Sequence, residues 1–239
     1  MSLKETTVTD ERLKHIAFIM DGNGRWAQMR GREREYGHKE GSEAFKRVVA
    51  HCADIGIKTV TVYAFSTENW KRPKNEVNAI MKLLNTYLSN CEDELSKRGV
   101  RFRMIGDKSA LSPSLVKKIE RVEHATKDNT LLLNFGLNYG GRAEIVTAVN
   151  KLISQNKTAV TEKDISEALY TFECEDTYLI VRTGGDIRIS NFLIWQAAYS
   201  ELYFTDTLWP DMSDADIDAA VKEFYSRQRR YGGVIPQKS

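Results

Sequence analysis

Residues 16–20, Ile-Ala-Phe-Ile-Met, make an apolar run with no polar alternation, set between a charged leader and the turn Asp21-Gly22-Asn23-Gly24-Arg25. An extended segment of that kind offers no face to water, so it belongs inside a sheet covered on both sides. Four further short runs rich in β-branched or aromatic residues, at 58–65, 100–105, 130–135 and 178–182, also read as strands. The stretches between them repeat apolar residues at helical spacing. One carries Ala44, Phe45, Val48, Val49 and Cys52, another Ile80, Leu84, Tyr87, Leu88, Cys91 and Leu95. Ser112-Pro113 places a hydroxyl cap before a Pro at the first helical position, and Thr161 with Asp164 and Ser213 with Asp216 mark further helix starts. Strands alternating with helices predict a single α/β domain with a mostly parallel central sheet flanked by helices.

With 239 residues and 41% hydrophobic content, the chain has material for one such core and is not a disordered polymer. No repeat, low-complexity tract or linker divides it. Residues 1–14 read as a polar leader, 15–233 as the folded domain and 234–239 as a flexible tail. A net charge of +2 is too small to suggest nucleic acid as a partner. Cys52, Cys91 and Cys174 form neither an even disulfide framework nor a CxxC metal pair, the usage of a reducing compartment. The leader lacks an apolar signal region, and no apolar run near it approaches the ~20 residues that span a bilayer. The expectation is a soluble, cytoplasmic protein.

Open parallel sheets bind ligands beyond the carboxyl ends of their strands, and three segments that follow predicted strands are rich in Gly, Arg and small polar residues. In the first, residues 20–26, the two Gly around Asn23 let the backbone turn sharply and aim N–H groups at an anion. Arg25 adds a positive fork, and Asp21 at the strand tip is a candidate ligand for a divalent cation. The second, residues 66–73, offers Ser66, Asn69 and Arg72 beside the apolar surface of Phe65 and Trp70. The third, residues 182–191, sets Arg182 and Arg188 around Gly184-Gly185, with Ser190 following and Asp186 able to neutralise one arginine. Glu201, in an aromatic segment, is costly to bury unless paired or metal-bound. Two arginine-lined cradles and two candidate metal carboxylates suggest a pair of diphosphate substrates. The apolar helix around 80–95 can serve as core or as a wall for something greasy.

These segments resemble the cis-prenyltransferase family, and within it the bacterial undecaprenyl diphosphate synthases. The matching blocks are HIAFIMDGNGRW (15–26), Gly37-His38-Lys39, YAFSTENWKRP (63–73), NYGGR (138–142), RTGGDIRISNFLIWQ (182–196), and 198–204 with Trp209-Pro210. Six ordered blocks over residues 15–233 cover nearly the whole chain. The resemblance implies an isoprenyl transferase that condenses isopentenyl diphosphate repeatedly onto farnesyl diphosphate, with Mg²⁺, to give undecaprenyl diphosphate, a lipid-carrier precursor for cell-wall synthesis. Alternatives are a shorter or longer product, or a non-catalytic binding subunit.

It also implies residue roles. Asp21 matches the essential aspartate that works with Mg²⁺. Gly22, Asn23, Gly24, Arg25, Trp26, Arg34 and His38 match the allylic diphosphate site, and Arg182, Arg188, Ile189 and Ser190 the isopentenyl diphosphate site. Glu201 matches a second metal ligand, and Ser66, Thr67, Glu68, Trp70 and Arg72 match contacts between the two sites. Asn69 matches a position often assigned as proton acceptor; a carboxamide is a poor base, so it is expected to orient a diphosphate oxygen or a water. The helix over 76–96 would wall an apolar tunnel between sheet and helices, with Leu84, Leu88 and Cys91 on it, and Gly136, where the family usually has Ala, would lie near the tunnel floor. A homodimer involving 190–204 and 224–233, and transient membrane contact for product release, complete what the resemblance implies.

Overall fold

The structure, a computed structural model, describes residues 12–227. Six strands form one sheet: β1 (His15–Ile19), β2 (Thr59–Ser66), β3 (Val100–Ile105), β4 (Leu131–Tyr139), β5 (Leu179–Arg182) and β6 (Glu201–Phe204). Their order across the sheet is β3-β4-β2-β1-β5-β6, and every pairing is parallel. Among the described residues there are eight α-helices: α1 (Asn23–Met29), α2 (Arg34–Asp54), α3 (Lys74–Asn90), α4 (Glu92–Lys97), α5 (Pro113–Ala125), α6 (Gly141–Ser154), α7 (Glu162–Ala168) and α8 (Asp214–Ser226). This is the expected single-domain α/β fold, with a sheet that is parallel throughout.

β1 is buried along its whole length, as its unbroken apolar run requires. Its side chains alternate between faces: Ile16 and Phe18 join the large core with α2, α3, α5 and α8, whereas Ala17 and Ile19 join a smaller cluster with Ile180, Phe192 and Leu193. Three helix starts appear as the sequence suggests. Ser112 caps α5 with Pro113 at its first turn, and reciprocal capping boxes link Thr161 with Asp164 and Ser213 with Asp216.

The unexpected strand is β6, four residues whose exposure alternates only weakly. Its hydrophobic signal was too short to stand apart from the aromatic segment around it. No helix among the described residues is long and apolar enough to cross a membrane. The expectations for residues 1–11 of the leader and for 228–239, which include part of the expected dimer segment, fall outside the described residues.

Candidate active site

The chain leaves β1 toward β2 on one side and returns to β5 on the other, so the crevice beyond the carboxyl ends of these strands is the switch point where open α/β sheets bind ligands. A cleft of about 580 Å³ lies there. The β1 tip contributes Asp21, Gly22, Asn23, Gly24 and Arg25, and α2 adds Arg34 and His38. The β2 tip supplies Ser66, Glu68, Asn69 and Arg72, and β5 with its following loop supplies Arg182 and Ser190. The three segments selected from sequence thus converge on one site.

At its centre Asp21 meets Arg182, which is 4% exposed. Arg182 Nη2 donates to Asp21 Oδ2 at 2.8 Å, and Nη1 donates to Ser190 Oγ at 2.7 Å and the Arg188 carbonyl at 2.5 Å. The Gly22 N–H donates to Asp21 Oδ1 at 2.6 Å, with Arg25 3.4 Å from the same oxygen. Burial opposes ionisation of Asp21, but Arg182, Arg25 and the Gly22 N–H together outweigh it and hold the carboxyl below the usual aspartate range. Asp186 Oδ2 accepts from Arg182 at 3.2 Å and from Arg188 at 2.5 Å, so one carboxylate touches both guanidiniums while its single charge balances only one of them.

A second hub was not anticipated. Glu76, 6% exposed at the start of α3, accepts from Arg34 Nε at 3.1 Å and Arg72 Nη1 at 2.9 Å and lies 3.3 Å from His38 Nε2. Burial opposes its charge, yet these three partners keep its carboxyl below the ordinary glutamate range. Burial pushes the pKa of His38 down, with Glu76 partly opposing. The local signal was the four-residue spacing of Arg72 and Glu76; the contacts with α2 have none. Gly24 lets the hub form, since a Cβ there would stand 2.6 Å from Cζ of Arg34.

Asn69 Oδ1 accepts the Ser66 N–H at 3.0 Å, and the Ser66 side chain caps the Asn69 backbone in return. The amide NH₂ is therefore the end left for a ligand, and it donates. Tyr63 and Asn191, neither assigned a site role from sequence, also line the cleft.

Several expected positions lie outside the lining. Trp26 is buried, with its indole N–H on Asp211 Oδ1 at 2.6 Å and Arg30 packed 4.0 Å over its ring; it anchors α1. Trp70 donates to Asn138 Oδ1 at 2.8 Å and packs edge-on against Phe65. Thr67 sits against Gly140, Ile189 packs on the smaller core cluster, and the Arg188 side chain is 62% exposed at the rim. Glu201 requires a correction. It opens β6 level with Leu179 and Ile16, five residues before Asp21 along the sheet, about 16 Å at ~3.3 Å per residue. There it pairs with Arg227 at 2.9 Å. Within one chain Asp21 and Glu201 cannot share an ion, because parallel register sets them at opposite ends of the sheet.

Below the cleft an apolar chamber of about 100 Å³ lies between the sheet and the helices α2 and α3, lined by residues that include Phe45, Phe65, Ile80, Leu84, Phe135 and Leu137. The two spaces share Met20, Asn23, His38 and Ala64. Of the three wall residues expected, Leu84 lines the chamber, whereas Leu88 and Cys91 are packed into the core. Gly136 alternates away from it, between Phe135 and Leu137, against the Val62 carbonyl.

The described residues hold no cluster of three or more metal-ligating side chains. Asp21 is an ionised, hard oxygen donor in a cleft of anion-binding groups, and Glu68 is a second carboxylate in its lining. That donor set fits Mg²⁺, which takes one or two carboxylates and completes its shell with substrate phosphates and water.

The profile described as "Putative undecaprenyl diphosphate synthase" matches residues 19–232. The chain is 50% identical to an isoprenyl transferase of Fusobacterium nucleatum, over 92% of this chain and 96% of that protein. It is 44% identical to a farnesyl-diphosphate-specific ditrans,polycis-undecaprenyl-diphosphate synthase of Buchnera aphidicola, over 95% and 94% of the two. Its fold is similar to that of lavandulyl diphosphate synthase from Lavandula x intermedia, solved with dimethylallyl diphosphate, at a TM-score of 0.89, 31% identity, and 93% and 100% coverage. The ordered motifs, the parallel sheet and these likenesses agree: the chain belongs to the undecaprenyl diphosphate synthase family and is an isoprenyl transferase.

Proposed function

We propose that this transferase condenses isopentenyl diphosphate repeatedly onto farnesyl diphosphate and releases undecaprenyl diphosphate, a lipid-carrier precursor for cell-wall synthesis. The observation that carries the reading is the junction of two unlike spaces: a cleft of arginines and carboxylates opening through Met20 and Ala64 onto an apolar chamber. A diphosphate with a prenyl tail has the same division. The Buchnera relative is named for farnesyl diphosphate, which supports that starter.

In this reading Arg25, Arg34 and the α1 backbone hold the allylic diphosphate, and Arg182, Arg188 and Ser190 the isopentenyl diphosphate. The allylic C–O bond breaks, the isopentenyl double bond forms a C–C bond to the freed carbon, and a proton is lost to a diphosphate oxygen, leaving a cis double bond. Asn69 donates through its amide and orients that oxygen. Asp21 would hold Mg²⁺, which when bound neutralises charge on the diphosphates. The chain's own contribution is positioning and electrostatic stabilisation. The chamber is smaller than the ~150 Å³ cavity that accepts benzene, so tail growth requires α3 and its side chains to give way. We place the enzyme as a cytoplasmic homodimer that touches the membrane when its product leaves.

The test incubates the full chain with farnesyl diphosphate and labelled isopentenyl diphosphate, with Mg²⁺ or with EDTA, and separates the products by chain length. A Mg²⁺-dependent ladder ending at undecaprenyl diphosphate is expected. A shorter or longer end point overturns the product assignment, and no extension by folded protein favours a binding subunit.

A further inference from the structure

We propose that Asn191 is a positioning residue for prenyl transfer: its amide straps the β2 tip to the start of α6 and holds Ser190 and Arg182 in place for isopentenyl diphosphate. This rests on the reading of Arg182, Arg188 and Ser190 as the pocket for that substrate.

The loop after β5 carries three non-glycine residues in left-handed backbone within four positions: Ser190 (φ 50°), Asn191 (φ 64°) and Leu193 (φ 45°). Most side chains resist this conformation, Asn least among them. Such a run persists where its surroundings over-determine it, and Asn191 is where they converge. Its carbonyl accepts the Gly141 N–H at 2.7 Å, and its Oδ1 accepts the Arg142 N–H at 3.0 Å. It thereby satisfies two of the free N–H groups that open α6. Its Nδ2 donates to Glu68 Oε1 at 3.0 Å.

Asn191 lines the cleft, yet both ends of its amide are engaged by the protein, so its contribution passes through its neighbour. Ser190 Oγ accepts from Arg182, and its carbonyl lies 3.4 Å from the Tyr63 hydroxyl, which is nearer, at 3.2 Å, to the Tyr139 carbonyl. Gly140 leaves room for the strap: a Cβ there would stand 2.9 Å from Asn191 Nδ2 and 2.8 Å from Thr67 Oγ1.

Three variants test the strap in the full chain. Asn191→Gly keeps the left-handed backbone without strain and deletes both amide bonds. Asn191→Asp sets a carboxylate against Glu68, and Asn191→Asp combined with Glu68→Gln restores a donor. For Asn191→Gly, kcat/KM for isopentenyl diphosphate is expected to fall roughly 10- to 100-fold, the scale of a small misplacement at the reacting centre. The KM for farnesyl diphosphate should stay within about twofold of the parent. Asn191→Asp should recover as pH falls, because a proton shared with Glu68 relieves the repulsion, and the double variant should exceed it at neutral pH. An unchanged kcat/KM in Asn191→Gly, equal loss for both substrates, or a double variant no better than Asn191→Asp would overturn the proposal. Amide hydrogen exchange at 141, 142 and 190–193 reports the strap without turnover: faster exchange in Asn191→Gly is expected, and unchanged exchange overturns it. A parent chain that extends nothing overturns the functional proposal alone.

Discussion

His15 and Asp21 stand at the two ends of one central strand, and the protein treats them oppositely. His15 is 1% exposed, with Nδ1 2.8 Å from the Glu175 carbonyl and Nε2 2.7 Å from Thr61 Oγ1. Burial pushes its pKa down to about 4, so the imidazole is neutral. Asp21 is also partly buried, and burial there too opposes charge, but Arg182 and Arg25 reverse the outcome and the carboxyl stays ionised. The difference lies in the neighbours. The amino end offers mainly neutral oxygens and the carboxyl end offers guanidiniums, so one end of the sheet is structural and the other is built for anions and cations.

The largest break in this contrast should come from Asp21→Asn, which keeps the shape and removes the charge. A loss of about 10³-fold in kcat/KM is expected, the upper range for deleting one preorganised electrostatic group, with the circular dichroism of the folded protein unchanged. Turnover near the parent level would remove Asp21 from the proposed metal and diphosphate role. Next comes Arg182→Met. Removing one member of a buried ion pair should cost about 3–4 kcal/mol in urea unfolding at neutral pH. The penalty should shrink in acid, once Asp21 is protonated in both states.

At the other end of the strand the contrast can be sharpened by pH. The folded pKa of His15 lies below its unfolded value, so between pH ~6.5 and ~4 the unfolded chain binds the proton first. Stability contributed by neutral His15 is complete above that window and is lost as pH falls through it, by at most about 3 kcal/mol. His15→Gln should flatten this part of the stability profile; an equally steep profile in the variant would assign the acid sensitivity elsewhere. The smallest effect belongs to Glu201→Gln. Its pair with Arg227 is partly solvated, so thermal unfolding should register less than about 1 kcal/mol. A larger loss would mean that the amino-end pair does more than close the edge strand.

Much of the fold was legible because its signals are local. The unbroken apolar run of β1, the hydroxyl caps at Ser112, Thr161 and Ser213, and the Gly- and Arg-rich strand tips each state their conformation within a few residues. Asp21, Arg25, Arg72 and Arg182 were found for the same reason. Trp26 and Trp70 illustrate the limit: each stands inside a site motif, but the indole N–H points to Asp211 or Asn138, and no spacing in the sequence says so. Glu201 was misplaced because a carboxylate among aromatics shows that it needs a partner without showing which one.

The sequence by itself determined the α/β class, the central strand and the chemistry gathered at the strand tips, since side-chain periodicity and turn residues act over a few bonds. Tertiary structure alone decided that Glu76 joins Arg34, Arg72 and His38, that Asn191 bridges Glu68 to α6, and that Glu201 lies at the other end of the sheet from Asp21. Those pairings depend on strand register and helix docking between residues far apart in the chain, and a hydrogen bond or ion pair exists only where packing brings its two atoms within about 3 Å.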